Sequence, residues 1–132
     1  MQWAQHGTYS LEWQGAILVT RLVGEWNDVA ARNMHRDARA LWQARNGQAW
    51  GLLTDAREWG GGTPECFDAW WAFFEAGVAA GMVAATDILP SMLHALIVSE
   101  LAERARRMVR YRRSQNIDDA LAWLAEQDLQ IR

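Results

Sequence analysis

Three side chains near the middle of the chain are of types that carry chemistry: Asp55, Thr63 and Cys66. An aspartate closing a parallel strand is well placed to hold a ligand. The same carboxylate can instead accept from the loop amides of Trp59 to Gly62 and fix a turn. A phosphate on Thr63 would meet a helix dipole and free N–H groups, while the unmodified hydroxyl would cap that helix. Cys66 sits in the first helical turn, where a thiol can be made reactive. Nucleophilic catalysis also needs a base in reach, and His6, His35 and His94 fall in three different elements. Cys66 therefore reads as an inert, buried or half-buried thiol. The same scatter argues against a metal site, which needs clustered ligands. Gly60, Gly61 and Gly62 match no phosphate-loop spacing, and the chain has no lysine to reach a phosphate.

Two further groups stand out by number. Phe67, Trp71, Phe74 and Val78 make one stripe of the helix Glu65–Val78, and Trp70 and Phe73 make a second. A surface helix needs one apolar stripe, so the helix is either covered on two sides or offers aromatic rings to a partner. Arg104, Arg106, Arg107, Arg110, Arg112 and Arg113 form a basic cluster that could meet phosphate groups. Charge on an edge strand also blocks unwanted strand pairing, with Glu100, Glu103 and Asp118 near enough to compensate. The solvated edge is the preferred reading of the two.

The stretch Trp50 to Gly81 positions these residues as a buried strand, a glycine-rich turn and a capped helix. The strand Trp50–Thr54 is apolar on both faces, as in a sheet covered on both sides, and a loop Asp55–Gly62 is expected after it. Thr63, Pro64 and Glu65 then supply an N-cap, a proline at the first helical position and an acidic first turn. Upstream, Thr8 to Trp13 alternates, with Tyr9, Leu11 and Trp13 on one face. A turn at Gln14-Gly15 leads to a second strand, Ala16–Val23, in an antiparallel hairpin. Asn27 caps a helix in which Ala31, Met34, Ala38, Leu41 and Trp42 repeat at helical spacing, and Asn46-Gly47 stops it. Downstream come a short strand at Met82–Asp87 and a helix from Pro90 to about Ala105. In that helix Met92, Leu93, Leu96, Ile97 and Leu101 form an apolar stripe. A strand at Arg107–Arg113 follows, and Asn116 caps a last helix with Ile117, Leu121 and Leu124 facing inward. The predicted order is ββαβαβαβα: a mostly parallel α/β sheet with an N-terminal antiparallel hairpin strand and four helices.

The 132 residues, 51% of them hydrophobic, are enough for one core and are read as one domain, 1–132. A net charge of −3 gives little reason to expect a nucleic-acid partner. All 13 basic residues are arginine, a bias that a GC-rich genome explains without any role for the protein. One cysteine excludes an internal disulfide framework and suits a reducing cytoplasm. The N-terminal residues show no signal-peptide pattern. The apolar run Val78–Leu89 is interrupted by Gly81 and Asp87 and is too short to span a bilayer.

An N-terminal hairpin, four strand–helix turns, an aspartate after the central strand and the closing helix IDDALAWLAE together resemble the STAS domain family, the SpoIIAA-like anti-sigma factor antagonists. In antagonists of that family an Asp-Ser pair opens the helix after the central strand, and the serine is phosphorylated by a partner kinase. Gly62-Thr63 stands at that place, with the hydroxyl but without the acidic neighbour. The resemblance implies a non-enzymatic, cytoplasmic regulatory module without a cofactor. Its protein partner would meet Asp55, Thr63, Phe67, Trp70, Trp71 and Phe74, a homodimer is one such arrangement, and Thr63 is the candidate phosphorylation site. The alternative is a lipid or other apolar small-molecule binder, since a related fold serves lipid-carrier domains. An enzyme using Asp55 or Cys66 ranks third, because neither has a partner residue at usable spacing.

Overall fold

The computed structural model describes residues 4–127 and residue 129. A hairpin of β1 (Thr8–Gln14) and β2 (Ile17–Trp26) leads to α1 (Asp28–Gln43), β3 (Trp50–Gly62), α2 (Pro64–Ala79) and β4 (Met82–Ile88). Two short helices follow, α3 (Met92–Ile97) and α4 (Ser99–Arg106), then β5 (Arg110–Arg113) and α5 (Ile117–Ala125). The strands lie in one sheet in chain order. β1 runs antiparallel to β2, and every later neighbouring pair is parallel.

Because each crossover advances by one strand in the same direction, a constant crossover hand stacks the connecting helices on one face. The core obeys this. Met34 and Trp42 of α1, Phe73 and Phe74 of α2 and Ala105 of α4 share a cluster with Trp50, Leu52 and Ala56 of β3. On the opposite face Leu53, Ala84 and Ile88 meet Ala120 and Leu124 of α5. Alternation along β3 thus feeds two cores, as its apolar run predicts. The close seating of α5 needs a glycine in β3: a Cβ on Gly51 would lie 2.8 Å from Leu129 and 3.0 Å from Leu124.

Local signals set the helix starts. Asn27, Thr63 and Asn116 accept from the backbone N–H groups of Ala30, Cys66 and Asp119, each three residues on. α1 ends before Asn46 and Gly47, both left-handed at φ +54° and +80°. Tyr9, Leu11 and Trp13 pack on the core as the alternation predicts.

Several expectations need correction. The hairpin turn is Gly15-Ala16, one residue later than expected, with Gly15 at φ +60°. The loop expected at Asp55–Gly62 is strand. β2 runs on to Trp26 and gives it a partner, pairing Gly24 with Trp59, Glu25 with Gly61 and Trp26 with Gly62 across two irregularities. Trp59, 7% exposed, anchors this extension. Glycine-rich sequence reads as a turn because glycine has little preference for strand, and only a neighbouring strand overrides that.

The helix expected from Pro90 to Ala105 is broken at Val98, so among the described residues there are five helices rather than four. Its apolar stripe does not face inward. Met92, Leu93, Leu96 and Ile97 are 86%, 63%, 70% and 50% exposed. α4, after the break, is the part that packs, through the small residues Ala102 and Ala105. The last strand is shorter than Arg107–Arg113, because Arg107 still caps α4 and pairing with β4 starts at Arg110.

Candidate functional site

Asp55 lies in β3, beside Ile88 at the end of its pairing with β4. Its side chain is 6% exposed. Arg57, two residues on along the strand, grips it with Nε and a terminal nitrogen, both at 2.8 Å. The Arg57 backbone N–H adds a longer contact at 3.3 Å. Hydrogen bonding from Arg57 holds the carboxyl below its ordinary range, against the opposing effect of burial. Asp55 is thus a neutralised structural pair rather than a turn clamp on Trp59–Gly62. Thr54 and Ala56, its neighbours in the strand, face the cleft described below, whereas Leu53 faces α5. Strand alternation therefore turns Asp55 away from the aromatic helix, and the structure does not bring it together with the other expected contact residues.

α2 begins at Thr63, which is exposed and accepts from the Cys66 N–H at 3.2 Å. Cys66, 3% exposed, is buried under that first turn. Burial, with the nearby charge of Asp28, pushes its thiol up to about 11, the reverse of an activated nucleophile. Phe74, expected on the surface, is 1% exposed and belongs to the core with Phe73. Trp70 and Trp71 each stack on Phe74 at 5.4 Å between ring centroids. Phe67, Trp70 and Trp71 remain half-buried. The Arg104 guanidinium sits 5.3 Å from the Trp71 ring and ties α2 to α4. The two stripes of α2 are therefore mostly core and inter-helix packing.

Between the start of α2, α4 and the ends of β3 and β4 runs a small, half-open cleft of about 60 Å³. Trp59, Phe67, Trp70, Leu89 and Leu101 line it, and one end is polar, with Thr54, Asp87 and Tyr111. The Tyr111 hydroxyl donates to Asp87 Oδ2 at 2.5 Å. Arg113 donates through Nε to Asp87 Oδ1 at 3.0 Å and through a terminal nitrogen to the Tyr111 oxygen at 3.0 Å. Burial first, then the Asp87 charge, raises the phenol above its ordinary value. Sequence reading missed this triad because Asp87 meets Arg113 through parallel pairing of β4 with β5. The only signal in the chain was an isolated aspartate at the end of an apolar strand, followed later by alternating Arg and Tyr.

The basic cluster is divided among separate partners. Arg104 pairs with Glu100, Arg106 with Glu103, Arg112 with Asp119 and Arg113 with Asp87. Arg110 donates to the Gln127 carbonyl at 2.7 Å. β5 is an outer strand of the sheet, so this is the charged edge that the composition suggested. The histidines stay apart: His35 lies against Trp42 and Phe73, and His94 against Trp59. Burial, then the charge of Arg39, lowers the His35 pKa. Among the described residues no three histidine, cysteine or carboxylate side chains converge as metal ligands. No helix among them is long and apolar enough to cross a membrane.

No family model matches the chain, and no curated protein matches it in sequence. Solved structures do resemble it. One is an uncharacterized protein of the DUF3478 family with a SpoIIAA-like fold from Shewanella loihica. It matches at a TM-score of 0.68 and 13% identity, over 94% of this chain and 98% of that one. Another is an anti-sigma factor antagonist from Mycobacterium paratuberculosis, at a TM-score of 0.61 and 18% identity, over 90% of this chain and 94% of that one. Identities this low speak to architecture alone, and on that ground the chain has the SpoIIAA-like, STAS-type fold.

Proposed function

We propose that this chain is a non-enzymatic regulatory module that binds a protein partner through α3 and the exposed start of α2. One observation carries the reading: four large apolar side chains, Met92, Leu93, Leu96 and Ile97, stand exposed on one short helix. Single exposed apolar residues are ordinary, but a contiguous group marks an interaction surface. Covering each such side chain is worth about 1.5–3 kcal/mol, enough together to offset much of the cost of association. A partner with an apolar groove fits this helix. The resemblance in fold to an anti-sigma factor antagonist supports the same reading. The shielded thiol of Cys66 and the arginine-paired carboxylates of Asp55 and Asp87 are structural in character, which favours recognition over catalysis.

The double variant Leu93→Asp/Leu96→Asp tests this. Both positions are already exposed, so the unfolding free energy is expected to change by no more than about 0.5 kcal/mol. Affinity capture with wild type and variant as paired baits, then reconstitution with the purified partner, is expected to lose the complex with the variant. A partner bound equally by both would remove α3 from the interface. Light scattering over a range of concentrations decides whether the partner is a second copy of the chain.

Thr63 gives a second test. Thr63→Ala removes the cap bond to Cys66 and is expected to cost about 1 kcal/mol in denaturant unfolding. Thr63→Asp keeps a capping oxygen and adds negative charge at the positive end of α2, so stability should hold. If Thr63 is a phosphorylation switch, Thr63→Asp weakens partner binding. Wild-type binding by a stable Thr63→Asp protein would count against a switch there.

A further inference from the structure

We infer that β1 is an interface for a second copy of this chain, the two β1 strands pairing antiparallel about a two-fold axis so that two five-stranded sheets become one. The two ends of the sheet are built differently. β5 is four residues long, RYRR, and its arginines are the kind of charge that keeps other strands away. β1 is seven residues long, TYSLEWQ, with Glu12 its only charged residue and no proline. Its register with β2 runs from Thr8 to Gln14 without a bulge. A long, regular edge with so little charge is a template for another strand.

The hairpin decides which backbone groups are free. Gln14 and Ile17 flank the two-residue turn Gly15-Ala16 and pair with each other, which makes them a hydrogen-bonded pair. Alternation from there commits Glu12, Ser10 and Thr8 to β2 and turns the N–H and C=O groups of Tyr9, Leu11 and Trp13 outward. Among the described residues no backbone group of another segment pairs with those outward groups.

The strand is complementary to itself. Full overlap of two antiparallel copies is centred on Leu11. It sets Tyr9 opposite Trp13, Ser10 opposite Glu12 and Thr8 opposite Gln14. The three residues with free backbone groups are then the ones that exchange hydrogen bonds. Aromatic cross-strand pairs are stabilising, whereas centring on Glu12 would set two carboxylates directly opposite. Tyr9, Leu11 and Trp13 are half-buried against the core, and a second copy covers the side left open. The flanking helix leaves room. Asp37 of α1 accepts from the Tyr9 hydroxyl, while His35, on the other flank, meets Phe73 of α2. Helical spacing puts Ala40 and Ala44 beside Asp37. Both are small and exposed, so the second copy's α1 can lie alongside on the same face of the joined sheet. β1 is at the opposite end of the sheet from β4 and β5, between which α3 lies in the chain. The interface is therefore separate from the surface proposed for a protein partner.

Sedimentation of the full chain up to about 500 μM is expected to show a dimer with a Kd of about 1–100 μM, as suits a small interface. Leu11→Pro removes an outward N–H from each copy without touching a bond to β2, and is expected to raise the Kd at least about tenfold. Leu93→Asp/Leu96→Asp is expected to leave it unchanged. A second measurement reads the register and does not need the proline variant to fold. Ser10 and Glu12 are exposed, and across the interface they form a non-hydrogen-bonded pair with Cα atoms about 4.5 Å apart, within disulfide reach. In Ser10→Cys or Glu12→Cys alone, the two new cysteines are diagonal neighbours about 7–8 Å apart, beyond that reach. Mixing the two proteins under mild oxidation is therefore expected to cross-link at least about tenfold faster than either alone. The native Cys66 is buried, and wild type serves as its control. A chain that stays monomeric, a folded Leu11→Pro protein that dimerises like wild type, loss of the dimer in the α3 variant, or equal cross-linking in the mixture and the single variants would overturn the interface.

Discussion

Replacing Trp50 by alanine is expected to lower the free energy of unfolding by about 3–5 kcal/mol, the largest loss from any single truncation considered. Trp50 opens β3 and is fully buried. Its ring stacks on Trp42 at 5.5 Å and meets the edge of Trp13 at 5.7 Å. The indole N–H donates to the Ala80 carbonyl at 3.3 Å. A Cβ on Gly77 would come within 3.2 Å of the ring, so α2 is seated directly against it. Removing the ring opens a void shared by β1, α1 and α2, and leaves a helix-end carbonyl without that donor. Domains of this size have about 5–15 kcal/mol in all, so the variant should be close to unfolding at room temperature. Urea titration followed by circular dichroism measures the loss. Trp50→Phe, which keeps most of the ring, should lose clearly less. A loss below about 1.5 kcal/mol for Trp50→Ala would mean that this cluster does not organise the core.

The second large effect is asymmetric. Arg57→Ala is expected to cost about 2 kcal/mol near neutral pH, while Asp55→Asn costs less than about 1 kcal/mol. The reason lies in exposure. The Asp55 side chain is 6% exposed and the Arg57 side chain 52%. Without Asp55, the guanidinium turns to water at little penalty, and an asparagine oxygen can still accept from it. Without Arg57, a buried carboxylate keeps only the weak backbone contact at residue 57, lengthened already to 3.3 Å.

The pH dependence follows from the direction of the Asp55 shift. Its carboxyl is depressed in the folded protein, first by the Arg57 side-chain hydrogen bond. A depressed carboxylate adds stability that is fully present above the unfolded value of about 3.9 and is lost as pH falls through the folded value. The Arg57→Ala protein lacks that contribution, so its deficit should narrow as the wild type is brought to about pH 3. Unfolding curves at neutral and acid pH decide the matter. A larger cost for Asp55→Asn than for Arg57→Ala, or a gap that does not change with pH, would contradict the assignment.

The expected binding surface shows how far residue type and spacing can be trusted. Thr63 was placed correctly at a helix start because three adjacent residues specify a cap. Phe74 was placed on the wrong side because the aromatic residues of α2 occupy nearly the whole helix circumference. A period that marks every face marks none, and burial of Phe74 was decided by the sheet and by the rings that stack on it. Asp55 and Asp87 offer the same lesson. Both looked like single carboxylates near strand ends, yet one is closed by a residue two positions away and the other by a residue from a neighbouring strand.

What the amino-acid order determined by itself was whatever depends on near neighbours. The alternation of β1, the caps Asn27, Thr63 and Asn116, the glycine stops and the succession of strand and helix all rest on contacts a few residues apart. The tertiary structure decided the rest. It extended β3 through its glycines by giving Gly61 and Gly62 partners on β2, and it joined Asp87 to Arg113 across parallel strands. It also left α3 uncovered while α4 packs through Ala102 and Ala105. Those outcomes depend on which distant segments arrive alongside, and neither local hydrogen bonding nor hydrophobic period carries that information.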